Sequence, residues 1–316
     1  MTNRGFSAEI EQLAAEINSA FVERRAPHFD RGNIAAWVEA VNLQMLIGQI
    51  EVAEHGLRHL RARFPTVTYA NRVGDIFNRL PLAGEALPFK DDPESDIQIV
   101  TRDHSRTVLL LFCGREHNMG LPLSVVHRWT GRLSASLIYL RDFRRRHFLD
   151  GLTSLGATQA ATVAALRGIT ASLGARRVVC WGSSAGVFGA LHYGLGLEAD
   201  AILCLGGIVN MTPEFNAYSV YERSAIKLQA ELPDTVLDVR PLYQAAACPP
   251  RVRMICGAEY WNDRIHAEYM AMLSCVTLQV VENFGEHNVI VELIRRGQFE
   301  AALHWLVSDD RHISTS

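Results

Sequence analysis

The sequence predicts an α/β fold: a mostly parallel sheet covered by helices, preceded by a small all-helical N-terminal domain. Three observations predict it. Over about residues 6–80 apolar side chains recur at three- and four-residue spacing, the period of amphipathic helices. From residue 98 onward short β-branched runs alternate with helical stretches, as in a parallel sheet covered on both faces. Between the two lies PLAGEALPFKDDPESD, residues 81–96, whose three prolines and clustered acids read as a linker. The expected division is 1–85 and 95–316.

In the first part Ile10, Leu13, Ile17 and Phe21 share one helical face, and Ile34, Trp37 and Val41 another. Asp30 can cap the helix that begins near Asn33. A third helix is expected over 51–64, stopped by Pro65, and a fourth over 69–80. Trp37, Gly48, Ala53, Leu57 and Pro65 stand where a tetratricopeptide repeat has its tryptophan, inter-helix glycine, close-packing alanine, large apolar residue and terminal proline. Residues 33–66 therefore resemble one such hairpin. Ala40, Val41 and Gln44 replace the repeat's usual leucine, glycine and tyrosine, so the repeat is degenerate and no array follows. A single hairpin implies either packing against the α/β part, a lid over it, or a docking surface for a protein partner. Packing is preferred, because such units bury their apolar faces by stacking.

In the second part strands are expected at 98–101, 107–112, 134–140, 177–181, 201–205, 252–256 and 277–281. Helices are expected at 158–172, 185–195 and 289–306, with a further helical run, 212–231, as a small cap over the strand ends. With 316 residues the chain suits one large domain or a domain with an appendage. A hydrophobic share of 48% with 21% charged residues marks a soluble globular class. The net charge of −3 gives no electrostatic reason to expect nucleic acid or an acidic membrane surface. Six cysteines without a C-x-x-C pair, mostly in apolar runs, read as reduced core thiols of a cytoplasmic protein. Twelve histidines show no paired ligand spacing, and there is no P-loop or dinucleotide fingerprint, so neither metal nor cofactor is expected. No signal-peptide core opens the chain, and no apolar stretch is long enough to span a bilayer.

The chemistry-bearing segment is the strand Arg177-Val178-Val179-Cys180-Trp181 running into Gly182-Ser183-Ser184-Ala185-Gly186 and a small-residue helix. G-x-S-x-G at a strand-to-helix turn holds a serine exposed and strained, as a nucleophile needs. A serine hydroxyl also needs a base, and the base needs an orienting group. Asp263 follows the strand at 252–256, His287 follows the strand at 277–281, and both fall at the sheet edge where Ser184 emerges. Glu259, nearer the strand end, is the alternative carboxylate, and Asp263 is alternatively a cap for a helix starting at Arg264.

On these residues, in the order Ser…Asp…His, the chain from about 95 to 310 resembles an α/β-hydrolase. The resemblance implies Ser184 as nucleophile, His287 as general base then acid, and Asp263 as orienting carboxylate. It also implies an oxyanion hole from the N–H groups of Ala185 and of Arg115, in the loop after strand 107–112. Cys113-Gly114 stands where many members have His-Gly, so the donor is Arg115 or its neighbour Gly114. Gly114 and His117 are candidate substrate contacts. Arg141 or Arg144 is a candidate for meeting an anionic group, against the plainer role of Arg144-Arg145-Arg146-His147 as a solvated face. Tyr260 and Trp261 are either pocket lining or packing. Three activities stay open: an ester or thioester hydrolase on a small-molecule substrate, an acyltransferase using the same triad, and a catalytically idle binding module.

Overall fold

The computed structural model describes residues 6–29 and 33–308. The chain divides into two compact units: 1–94 with 121–132 and 294–297, and 95–120 with 133–293 and 298–316. Asp30 lies outside the described residues.

The first unit is helical: α1 Ala8–Val22, α2 Ile34–Leu46, α3 Ile50–Arg63 and α4 Thr68–Phe77, joined by α5 Leu123–Thr130. Ser7 caps α1 through the Ile10 N–H. The apolar stripes read from the sequence face inward: Ile17, Trp37, Val41, Ala53 and Leu57 are all buried. Gly48 takes φ +79° between α2 and α3, a left-handed turn that a side chain resists. Helix α5 was not anticipated; its short pattern follows directly on the Gly120 turn.

The second unit is built on seven strands in the order β1-β3-β2-β4-β5-β6-β7: β1 Ile97–Val100, β2 Thr107–Phe112, β3 Ser136–Leu140, β4 Arg177–Ser184, β5 Ala201–Gly207, β6 Arg251–Gly257 and β7 Val276–Val281. All neighbours are parallel except β1, which runs antiparallel on β3. The central strands read as unbroken apolar runs because both faces are covered; Val108 to Phe112 and all of β5 are buried. Helices α6 Gln159–Ser172, α7 Gly186–Gly196, α11 Trp261–Ala271, α12 Val289–Arg295 and α13 Phe299–Val307 follow the strands. Phe112, Phe148, Phe188, Tyr193, Leu191, Ile202 and Met254 belong to one core cluster.

Three expectations change. The single helix over 289–306 is two, broken where Gly297 adopts φ +70°. The run 212–231 is also two, α8 Pro213–Asn216 and α9 Glu222–Glu231, separated by a loop in which Tyr218 has φ +69°. Helix α11 begins at Trp261 rather than Arg264, and the short α10 Arg240–Ala245, opened by a proline, was not anticipated. Among the described residues no helix is long and apolar enough to cross a membrane.

Candidate active site

Strand β4 hands over to α7 through Ser184, whose φ is +54°. A non-glycine residue there costs about 1–3 kcal/mol and persists only where its surroundings enforce it. Here the enforcement is steric. A Cβ on Gly186 would stand 2.0 Å from the Phe112 carbonyl oxygen, and one on Gly182 would stand 2.6 Å from Gly186 O. Strand and helix are thus closer than any side chain allows, and the chain must turn sharply at Ser184. The β4–β5 register shifts at the same point, pairing Ser184 with Gly207.

His287, in the loop after β7, brings Nε2 to 2.7 Å from Ser184 Oγ. Its Nδ1 lies 2.8 Å from Asp263 Oδ2. A neutral ring protonated at Nδ1 satisfies both contacts: the imidazole donates to the carboxylate and accepts from the hydroxyl. Asp263, in the first turn of α11, is only 1% exposed. Burial raises its pKa, opposed by the hydrogen bond and charge of His287 and by a hydrogen bond from Tyr221. Burial likewise pushes His287 down, but the Asp263 hydrogen bond and charge outweigh it, and the net shift is upward. Glu259 is exposed and lies against Gly285; Asp263 is the carboxylate that meets the histidine.

The loop after β2 packs onto the serine. A Cβ on Gly114 would stand 3.2 Å from Ser184 Cβ, so this glycine keeps the loop close. The Gly114 N–H is already donated to Asn118 O at 2.7 Å. The Arg115 N–H donates to no main-chain carbonyl among the described residues. Ala185 opens helix α7, whose N-terminal amides carry the positive end of the helix dipole. His117, at φ +60°, stacks edge-on against Phe143 with ring centroids 4.9 Å apart.

Two of the arginine expectations resolve into framework. Arg141 is 1% exposed, and its guanidinium donates to His117 O at 3.2 Å, Ser95 O at 3.0 Å and Gln98 Oε1 at 3.1 Å, tying the Gly114–His117 loop to β1. Arg144 pairs with Asp150 at 3.1 Å. The run that follows is fixed by Asp142, which accepts from the Arg144, Arg146 and Phe148 N–H groups. This brings His147 beside Ala185, where burial first and then the Arg115 charge push its pKa down to about 4. Tyr260 packs its ring on His287, 5.6 Å between centroids, while Trp261 is 53% exposed.

Four contributors were not singled out from sequence. Asn288 Nδ2 donates to Gly120 O at 2.6 Å, joining the histidine loop to the loop after β2. Gly206, at φ +48°, leaves room for Asp263 and His287; a Cβ would stand 2.8 Å from both Asp263 Oδ2 and His287 O. The Gly206-Gly207 pair at a strand end was the available signal. Tyr221 donates to Asp263 Oδ1 at 3.3 Å, and His147 reaches the Ala185 main chain; neither stands in a recognisable spacing.

No family model matches the chain, and no curated protein matches its sequence. Among solved structures it is similar to the apo form of esterase 2 from Thermogutta terrifontis, at 15% identity over 72% of this chain and 96% of that one, with a TM-score of 0.48. It is also similar to MenH from Staphylococcus aureus, at 10% identity over 67% and 97%, TM-score 0.47. A third is FphF, a fluorophosphonate-binding serine hydrolase of Staphylococcus aureus, at 13% identity over 67% and 92%, TM-score 0.46. The strand order, the strand-to-helix turn at Ser184 and the chain order Ser…Asp…His are those of an α/β-hydrolase fold.

Proposed function

We propose that the protein is a serine hydrolase that cleaves an ester or thioester through an acyl-enzyme on Ser184. One observation carries this: an unbroken chain from Ser184 Oγ through His287 to a buried Asp263, behind a serine held at positive φ. Ser184 Oγ attacks the substrate carbonyl as His287 Nε2 takes its proton, and Asp263 stabilises the resulting imidazolium. The oxyanion lies between the Ala185 and Arg115 N–H groups, which together contribute several kcal/mol to the transition state. His287 then protonates the departing alcohol or thiol. A water, deprotonated by His287, attacks the acyl carbon and releases the acid and free Ser184. Gly114 and His117 flank the entering carbonyl. The burial of Asp263 and its contact with His287 argue against a catalytically idle fold.

In the N-terminal unit we read α2 and α3 as one degenerate tetratricopeptide-like hairpin. Trp37, Ala53 and Leu57 are buried within it, Gly48 makes the turn, and Pro65 follows the end of α3.

The test is labelling of the purified full chain by a fluorophosphonate, beside Ser184→Ala and His287→Ala. Labelling of the wild type alone is expected, followed by turnover of p-nitrophenyl esters of some chain length. A folded wild type that takes no label overturns the proposal.

A further inference from the structure

The segment between β5 and β6 does more than cover strand ends. Tyr221, at the last position before α9, sends its hydroxyl to Asp263 Oδ1 at 3.3 Å, the carboxylate oxygen that His287 does not use. Its ring packs near His266, 5.9 Å between centroids, and His266 is itself wholly buried. The loop that carries it is pinned by one main-chain contact to the catalytic-carboxylate helix, Val220 N–H donating to Asn262 Oδ1 at 3.2 Å. That loop is otherwise open: Tyr218 is 94% exposed and Val220 66%. We propose that Tyr221 is a positioning residue of the hydrolytic site, delivered by the cap loop, which fixes the rotamer and charge distribution of Asp263 and so makes the base competent only when the cap is seated.

This role for Tyr221 rests on the function proposed above. A carboxylate that is 1% exposed has no water to satisfy its second oxygen, so that oxygen either finds a donor or costs the pair dearly. Each glycine and main-chain group around Asp263 already has its place: Gly206 clears space for it, and its own N–H is turned to Tyr260 O. The groups facing Asp263 are His287, the hydroxyls of Tyr221 and Tyr260, and the Cys256 thiol at the end of β6. Of these Tyr221 alone comes from the cap. With the Tyr221 O–H in place, part of the carboxylate charge is shared and the remaining oxygen is aimed at His287 Nδ1. Without it, the unshared charge holds the imidazolium proton more tightly, and the carboxylate is free to rotate.

The experiment is Tyr221→Phe in the full chain, which keeps the ring and removes one oxygen. Expected are a fall in kcat of about tenfold with little change in KM, and an acidic limb of kcat/KM moved to higher pH. Fluorophosphonate labelling should slow by a similar factor, while the melting temperature stays close to wild type. Asn262→Ala, which loosens the loop without touching the Tyr221 ring, should move the same limb in the same direction by less. If wild-type protein labels and both variants keep the wild-type limb and kcat, the role of Tyr221 is overturned and the serine mechanism stands. If the wild type itself takes no label, it is the underlying function that has failed.

Discussion

The turn at Ser184 and the cap over residues 208–239 both reach the Asp263–His287 pair, yet the turn and the cap's outer loop are built in opposite ways. The turn is enforced by absent side chains: Gly182 and Gly186 sit where no Cβ fits, and β2, β4 and α7 are locked together by that proximity. Val209, Met211, Leu228 and Val239 seat the cap in the core cluster, whereas its outer loop is held by a few polar contacts. Asn216, wholly buried, donates to Asn210 O at 2.8 Å and Thr212 O at 2.9 Å, and Val220 N–H reaches Asn262. A serine must be placed to a fraction of an ångström, and steric exclusion does that without moving parts. Under the proposed function the cap loop must admit substrate, and hydrogen bonds of about 1 kcal/mol each can be opened and remade.

Substitutions in the two regions should therefore differ in kind. The largest effect is expected from Gly186→Ala. A methyl 2.0 Å from Phe112 O forces strand and helix apart, and the variant should lose 3 kcal/mol or more, on the order of the worst core lesions, by chemical denaturation. A variant of wild-type stability would show the turn to be looser than described. Next comes Asp263→Asn, which keeps shape and removes charge: kcat should fall on the order of a thousandfold or more with the fold intact. Then Asn216→Ala, which takes the amide donor from Asn210 O while Thr212 O keeps the Asn216 N–H, should cost about 1–2 kcal/mol. That cost should appear as faster proteolytic nicking in 217–221 rather than as a large drop in global melting. Uniform loss of stability would tie the 217–221 loop to the core that the rest of the cap already joins.

The smallest expected effect is a titration. As the proposed base His287 must be neutral, and its pKa is raised, because the hydrogen bond and charge of Asp263 outweigh burial. Activity is therefore lost as pH falls through a value above the ordinary ~6.5 of histidine. In Asp263→Asn the residual activity should keep its acidic limb at lower pH, since burial then acts unopposed. A limb that does not move between the two proteins would separate His287 from the rate.

The same contrast explains what the sequence disclosed. Ser184, Asp263 and His287 were legible because each follows a short apolar strand, and parallel strands deliver such positions to one edge. The seven strands were read to within a few residues, the central ones through continuous burial and the half-exposed edge strands β1 and β7 through their β-branched residues. Tyr221 and Arg141 were not legible in these roles, because one hydroxyl or guanidinium among many is singled out only by tertiary neighbours. Arg141, a candidate for meeting an anionic group, is instead a buried brace. The breaks at residues 217–221 and 296–298 were missed because helical spacing continues across them, and Gly297 interrupts it by conformation rather than by pattern.

The left-handed backbone at Ser184 has one more consequence, for how such a protein is inherited. Ser184→Gly removes both the nucleophile and the strain, so the inactive product should be the more durable molecule. Random mutation followed by screening for heat resistance alone would favour that glycine; screening for turnover would reject it. Under the proposed function, a serine here is kept by selection for chemistry against persistence.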